Sequence, residues 1–523
     1  MRYTDIWRIN CAATTARGND RGMKQLCFRT DEDRSQGFTL LVEQRFAVER
    51  EPSGELPITL YDTFDWRLYG KGCSAYAAPG SFSIQGLRDQ SPFLTRALES
   101  VPRFWWEFLD ESLRGFLKDI TGIRALLPLA TFKLHEQQYL ARNEDEKIVS
   151  RFSLLTHDAH GDRSQSYLLV KPLKGYVEER DLLLAMARES TMEELPHPFM
   201  EELLLAAGIH PGDYSSKLDI RLNRRQTVTE AALVIHRNLL STIKSNIPGI
   251  IEDYDTEFLH DFRVATRRTR ACLSQVKEAF PPEVRKKYNA DFKRIAKECN
   301  LLRDLDVYLL EKQGYYDMLP ERLHAGLDRY FKYITRRRNN QQKRFSDYLR
   351  TEAFRSALDD WEAFLENPLV PAASPPALEV ARSRIRSSFV RIIKRGRSIT
   401  DASPDEDLHR LRIECKRLRY LLEFFASLFP RKKTGSLVGH LKGLQDDLGE
   451  FNDLTMQQIN LNEYLKRARS DARKNRLEAA AIGGLLAMLH ERQGEVRKGF
   501  YRSFADFDSK QVHAICEELF EKG

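Results

Sequence analysis

Cysteine is scarce and badly placed for cross-linking. The 523 residues hold seven (Cys11, Cys27, Cys73, Cys272, Cys299, Cys415 and Cys516), an odd number, scattered, with no CxxC pair. That pattern excludes a disulfide framework and cysteine-based metal ligation, and it suits a reducing compartment. Long apolar runs are missing too. The longest, Ala479 to Leu489, falls short of the ~20 residues a membrane span requires. The opening MRYTDIWRINCAATTARGND has no apolar core of a signal peptide. The expectation is a cytoplasmic chain with no membrane span. Excess charge is small overall, at +7, but it is unevenly spread: residues 1–216 carry 26 Lys+Arg against 32 Asp+Glu, and residues 217–523 carry 57 against 44. The positive part calls for an anionic partner, whether nucleic acid, membrane surface or polyanion.

What is present begins with 42% hydrophobic residues, enough for real cores, in a length that fits two to four domains at ~150 residues each. Residues 1–36 are polar and show neither helical nor strand period, so they are expected to be a poorly ordered leader. From Gly37 short alternating runs follow: FTLLVEQRFAVE, PITLYDTFDWRLYGKG, SAYAAPGSFSIQGL, LPLATFKLHEQQYLARNEDEKIVSRFSLLTHD and SYLLVKPLKGYVEE. Their β-branched and aromatic residues, parted by Gly, Asn-Glu-Asp and Asp-Ala-His-Gly turns, predict an antiparallel β-rich domain over 37–180, with a helix near Phe104 to Ile120. Residues 181–216 read as a connecting helical segment.

From Leu218 the period is helical. Helices are expected over Thr227–Ile247, Thr256–Phe280, Glu283–Glu311, Pro320–Glu366, Ala377–Ser398, Leu408–Phe429, Leu437–Ala468 and Ala472–Phe504. The proline-rich connector NPLVPAASPP, residues 367–376, parts two halves, 217–366 and 377–507, and residues 508–523 are expected to be a tail. The class is therefore α+β, a β-rich domain followed by an all-α one.

The halves repeat one another. LHDFRVATRRTRACLSQV at Leu259 returns as LHRLRIECKRLRYLLEFF at Leu408, an offset of 149 without gaps, and Phe280-Pro281, Lys293 and Asp304-Leu305 keep register with Phe429-Pro430, Lys442 and Asp453-Leu454. At ~100° per residue, His260, Arg263, Arg267 and Arg270 share one helix face, as do His409, Arg412, Lys416 and Arg419. Arg268 and Arg417 lie on the flanks. Duplicated units should pack about a pseudo-two-fold axis, so that the stripes face each other across one positive cleft. Like charges at helical spacing repel by a few tenths of a kcal/mol per pair, so such a stripe needs an anion. Rows of Arg suit phosphate, which the planar guanidinium grips with two parallel hydrogen bonds. A rise of ~15 Å from His260 to Arg270 fits an extended polyanion better than a mononucleotide. Lys293, Arg294 and Lys297 on the following helix, and Lys442 in the second half, extend the positive surface. Neither stripe itself holds carboxylates for Mg²⁺ or a general base, which favours binding over hydrolysis. The competing reading is an intramolecular salt-bridge network with His260 and His409 in the core.

The H-x-x-R-x-x-x-[KR]-R-x-R segments at His260 and His409, with LLRDLDVYLL and LGEFNDLTMQQ downstream, resemble the CHAD family, the conserved-histidine α-helical domain, over residues 217–507. The resemblance implies two four-helix bundles related by a pseudo-two-fold and inorganic polyphosphate bound in a basic central cleft. It assigns phosphate contact to His260, Arg263, Arg267, Arg268, Arg270, His409, Arg412, Lys416, Arg417 and Arg419, with Lys293 and Lys442 following. The β-rich part is similar to a CYTH domain, the triphosphate-tunnel fold, on YDTFDWRLYGKGCSAYA, LPLATFKLHEQQYLARNEDEKIVSRFSLL and LLVKPLKGYVEE. That family opens on a strand with E-x-E-x-K; here VEQRFAVE keeps Glu43, puts Arg45 where the second glutamate belongs and has no lysine after it. Ser74 to Gly86, where arginines would line a tunnel, has none. The expectation is a degenerate, inactive CYTH-like domain without catalytic residues, metal or cofactor, joined to a polyphosphate binder of the cytoplasm and its polyphosphate granules. The alternatives are a metal-dependent triphosphatase using the front domain and a nucleic-acid binder using the cleft. Nucleic acid is disfavoured because single-strand readers interleave aromatics with cations, and only Tyr420 adjoins a stripe.

Overall fold

The computed structural model describes residues 26–87, 92–158, 164–171, 173–369, 371, 373–467 and 476–521. The first 25 residues of the expected leader, most of the Asp-Ala-His-Gly turn and the expected helix boundaries at Ala468 and Ala472 lie outside them. The chain divides into two units, 1–215 and 216–523.

The first unit is built from β1 (Leu26–Thr30), α1 (Glu32–Glu43), β2 (Ala47–Arg50), β3 (Gly54–Asp62), α2 (Arg67–Gly70), β4 (Cys73–Ala78), β5 (Ser81–Gly86), β6 (Pro92–Ala97), α3 (Glu111–Thr121), β7 (Leu127–Arg142), β8 (Ile148–Asp158), β9 (Ser164–Lys171), α4 (Val177–Glu189), β10 (Glu193–Glu194) and α5 (Phe199–Ala206). All ten strands join one antiparallel sheet in the order β10-β1-β9-β8-β7-β3-β4-β5-β6, with β2 also on β7. Side chains alternate across a strand, and both faces are apolar. On one face Ile58, Leu60, Phe132, Leu134, Tyr167 and Leu169 pack against Phe199, Met200, Leu203 and Leu204 of α5. On the other, Phe28, Phe152, Leu168 and Val170 meet α1 and α4, while Phe82 and Ile84 meet Leu113 and Leu117 of α3.

Three expectations need correction here. Residues 26–36 are not a loose leader: β1 pairs with β9, and Asp31 caps α1 by accepting from the Arg34 amide at 2.9 Å. The front of FTLLVEQRFAVE is not a strand, because Phe38, Thr39 and Val42 recur at helical spacing and bury one face of α1; only its end, from Ala47, is strand, in β2. Glu43 is the last residue of that helix, so the comparison with E-x-E-x-K was set on the wrong segment. The first strand among the described residues is LCFRT, with no glutamate. Residues 181–216 do not merely connect, since α4 and α5 cover opposite faces of the sheet. The YDTFDW motif has a structural use: the buried Asp62 carboxylate accepts from the amides of Leu68 and Tyr69, each at 2.9 Å, and so caps α2.

The second unit is α6 (Val228–Ile251), α7 (Thr256–Gln275), α8 (Pro282–Leu310), α9 (Lys312–Asp317), α10 (His324–Leu349), α11 (Glu352–Glu366), α12 (Ala377–Arg397), α13 (Asp405–Phe424), α14 (Arg431–Arg467), α15 (Arg476–Phe507) and α16 (Lys510–Phe520). Among the described residues, repeat one has four long helices with the shorter α9 and α11, and repeat two has four long helices with the shorter α16. The starts of α6, α7 and α8 recur at α12, α13 and α14 with the same offset of 149. Local chemistry sets these starts: Thr227 and Glu230 form a capping box, Asp255 accepts from the amides of Glu257 and Phe258, and Pro282 opens α8 where no amide is needed. Pro248 was expected to end α6 but lies inside it, one turn from the C-terminus. The span Pro320–Glu366 is two helices, because Thr351 caps α11 through the Phe354 amide. Residues 510–520 are helix rather than tail, packed on α12 and α14.

The pseudo-two-fold can be read from reciprocal contacts. Thr227 bridges its own repeat counterpart, Pro376; the Val228 amide donates to Pro375 at 2.8 Å and the Ala377 amide donates to Gln226 at 2.9 Å. Farther along, Asn460 donates to Tyr308 at 2.8 Å while Gln457, the counterpart of Tyr308, donates to Glu311, the counterpart of Asn460, at 2.9 Å. Two pairs of contacts that exchange roles under one offset are what a two-fold axis requires. Cys27, Cys272, Cys299, Cys415 and Cys516 are free thiols, and no described helix is long and apolar enough to cross a membrane.

Candidate anion-binding site

The stripes sit on α7 and α13, which pack on one another, with buried Leu259, Phe262, Thr266, Cys272 and Leu273 on one helix and Leu408, Leu411, Cys415, Leu418 and Leu422 on the other turned to the cores. This leaves Arg263, Arg267, Arg412 and Lys416 within one another's fields. Lys416 is pushed down to about 7, by burial first and then by Arg412 and Arg267, with Arg263 adding and Asp453 opposing. Arg412 is lowered by burial and by Arg267 across the helix pair, again against Asp453. Arg263 and Arg267 are the repeat counterparts of Arg412 and Lys416, so the four cations lie about the pseudo-two-fold.

Two carboxylates belong to the same cluster. Arg412 pairs with Asp453 at 3.4 Å, and the counterpart Asp304 lies in the field of Arg263. Burial raises the Asp304 carboxyl, and Asp453 raises it further, which brings the two acids near each other. Three guanidiniums and the partly charged Lys416 amine thus face two carboxylates among the described residues. Arg267 and Lys416 make no hydrogen bond or ion pair among the described residues. Arg263 donates to Asn300, a neutral partner.

The remaining stripe residues divide. His409 meets Asn452 at 2.7 Å; His260 is partly buried on α7. Arg270, lowered by burial, donates to Asn289 at 3.4 Å. Arg268 is largely buried and turned to Glu423 at 2.7 Å and to the Ser216 carbonyl at 3.1 Å. Arg419 takes the other oxygen of Glu423 at 2.8 Å, and Arg417 pairs with Glu414 at 2.7 Å. The idea that the stripes need an outside anion throughout is corrected by these pairs: Glu414 and Glu423 ride on α13 itself, at three and four residues from the arginines they neutralise. That spacing was the visible signal. Lys293 and Lys297 are exposed on α8, and Lys442 on α14, none with a hydrogen bond or ion pair to the cluster; Arg294 is engaged by Asp291. Of the outlying basic run, Arg336 is exposed, whereas Arg338 is held by Asp306 at 2.8 Å and by Asp253.

Residues 235–462 match the CHAD domain family model. Among solved structures the chain is similar to the CHAD domain from the plant Ricinus communis, at 25% identity over 55% of this chain and 96% of that one, TM-score 0.47. It is similar to PptA from Streptomyces chartreusis at 14% identity over 53% and 99%, TM-score 0.43. A Hippeastrum protein named as an adenylyl cyclase with a dominant triphosphatase activity matches at 12% identity over 36% and 99%, TM-score 0.24. No curated protein matches. The family model takes in both copies of the stripe, the helices that carry them and the acids at 304 and 453, so the match falls on the part of this chain that carries the site.

Proposed function

We propose that the helical unit binds inorganic polyphosphate at the cluster of Arg263, Arg267, Arg412 and Lys416, with the flanking arginines and His260 and His409 along the same path. One observation carries the reading: cations from both repeats converge on the pseudo-two-fold with only two carboxylates among them. A phosphate chain supplies a negative charge at every unit and would relieve that repulsion. Nucleic acid is the weaker reading, because Tyr420 is buried and stacked near Phe424 and so offers no platform for a base. We further propose that the front unit is a non-catalytic scaffold. Its first described strand carries no glutamate, and α5 fills one face of the sheet with apolar side chains where a charged tunnel would need room.

The test is titration of long-chain polyphosphate, single-stranded RNA and heparin against the full chain and an Arg263→Glu/Arg412→Glu variant. Charge-assisted contacts are worth about 1.5–3 kcal/mol each, so the variant should lose on the order of 100-fold or more for polyphosphate. Unchanged affinity rejects the site. RNA bound as tightly as polyphosphate rejects the ligand. Phosphate release from tripolyphosphate under varied divalent metals would reject the scaffold role.

A further inference from the structure

A cavity that none of the stripe residues line lies between α9 and α10. Its volume of about 410 Å³ is that of a small-molecule site, and its lining is polar: three cations, Lys312, Lys332 and Arg336, with the amides of Asn339 and Asn340. On α10, Asp328, Lys332, Arg336 and Asn340 follow one another at four-residue spacing, a ridge ~18 Å long. Asp328 is the only acid that lines the cavity, and it stands at the spacing that pairs an acid with Lys332. It is engaged elsewhere, since the Tyr316 hydroxyl donates to its Oδ1 at 2.5 Å. Lys332 and Arg336, like charges one turn apart, have no side-chain hydrogen bond or ion pair among the described residues, and neither do Asn339 and Asn340. Lys312 brings the third charge from α9. Its ammonium has no carboxylate partner and lies over the rings of Tyr316 and Phe331, 5.6 and 5.7 Å from their centroids. Its counterpart in repeat two is the buried Leu461, so this cation is no part of the duplicated stripes.

From this we infer that the cavity is a second anion site, for small molecules that carry a diphosphate group. A diphosphate bears roughly three negative charges near neutral pH, one for each cation. Its oxygens accept from guanidinium, ammonium and amide alike. A lone carboxylate would leave two of the cations unmatched, and an apolar ligand would leave all three. The shared chemistry is the diphosphate, free or at the end of a nucleotide. The inference does not depend on polyphosphate binding at the central cluster.

Pyrophosphate and ADP are the probes, each added to the full chain at fixed ionic strength while an amine-acetylating reagent labels the lysines and peptide mass spectrometry follows each one. Pyrophosphate should strip Lys312 and Lys332 of most of their reactivity and leave Lys71 and Lys133, exposed in the first unit, unchanged. An Arg336→Gln variant, checked for native circular dichroism, should need about tenfold more pyrophosphate for half protection, having lost one charge-assisted contact. The Arg263→Glu/Arg412→Glu variant should keep the parent's midpoint. Half protection at less ADP than pyrophosphate upholds the site with a nucleotide as its ligand; the reverse order upholds it with the free diphosphate. Lys312 and Lys332 labelled at the same rate with and without pyrophosphate overturn the inference, even if polyphosphate binds the cluster. So does protection by citrate at the same concentrations, which would mark a solvated basic face, and so does protection that vanishes in the Arg263→Glu/Arg412→Glu variant.

Discussion

The two repeats of the helical unit share a frame and differ in how they handle charge. The first three helix starts of each repeat agree to the residue across the offset of 149, yet the polar interiors are not copies. Repeat one holds an ionic triad, Arg338 between the buried Asp306 and the part-exposed Asp253. Repeat two has Thr455 and Ala402 at the counterparts of those two acids, and Thr455 accepts instead from Gln493 at 2.8 Å. Repeat one seals His236 in its core with both ring nitrogens unpartnered; repeat two has the buried Ile385 there. In the stripes the bias reverses. Repeat two neutralises Arg412, Arg417 and Arg419 with Asp453, Glu414 and Glu423, while repeat one leaves Arg267 open and gives Arg263 and Arg270 neutral amide partners. Across the offset the buried frame keeps its apolar character while its residues change, as Phe262 with Leu411 and Tyr288 with Leu437 show, and the polar interior differs in which groups satisfy one another.

The sharpest way to break this comparison is to remove the triad. Arg338→Met leaves Asp306, 1% exposed, as a buried charge without its partner. Unpairing a buried ion costs about 3–5 kcal/mol. The midpoint of urea unfolding should fall accordingly, whereas Gln493→Leu in repeat two, which breaks its contacts with Thr455 and Gln458 and a long one to the half-exposed Asp405, should cost less, about 1–2 kcal/mol. Equal losses would show that the two interiors are energetically equivalent.

His236 gives a second contrast, in pH. Burial holds its imidazole at about 3, below the ordinary ~6.5 of an unfolded chain. A folded value below the unfolded one means that stability falls as pH drops from ~6.5 toward about 3, because the unfolded chain takes up the proton and the folded one does not. His236→Ile copies repeat two. At pH 5 the variant should be more stable than the parent by about 2 kcal/mol beyond any difference at pH 8. Parallel stability curves for the two proteins between pH 8 and pH 5 would mean that the imidazole is not sealed as described.

How much of this could be read in advance depends on period and on partners. The helical unit was legible because eight stretches keep apolar residues at helical spacing and because Arg263, Arg267 and Arg270 return at one offset as Arg412, Lys416 and Arg419. The front unit was less so. Phe38 and Val42 are four apart, a helix spacing, but the short run FTLLV is equally apolar read as a strand, and burial against α4 decided it. Residues 26–30 look featureless alone and become a strand by pairing with β9. In the site, the cations were visible and their neutralisation was not. Glu414 and Glu423 stand at salt-bridge spacing on the same helix. That Glu423 would also reach Arg268 on the other repeat is a tertiary fact.

Glu423 is therefore the residue that best sharpens the comparison of the stripes. Its two oxygens hold Arg268 from α7 and Arg419 from α13, at 2.7 and 2.8 Å, and its repeat counterpart is Ser274, so the symmetric position has no such carboxylate. A carboxylate gripped by two guanidiniums occupies the geometry a phosphate oxygen would take. It can serve as a staple between repeats, or as an internal competitor that a polyanion must displace. Glu423→Gln separates the roles, because the amide carbonyl still accepts a hydrogen bond but carries no charge. A competitor predicts polyphosphate affinity higher by a few fold, with unfolding stability lower by about 1 kcal/mol from the weakened bridge. A staple alone predicts the same loss of stability with affinity unchanged or reduced, and that result would confine the ligand to Arg263, Arg267, Arg412 and Lys416.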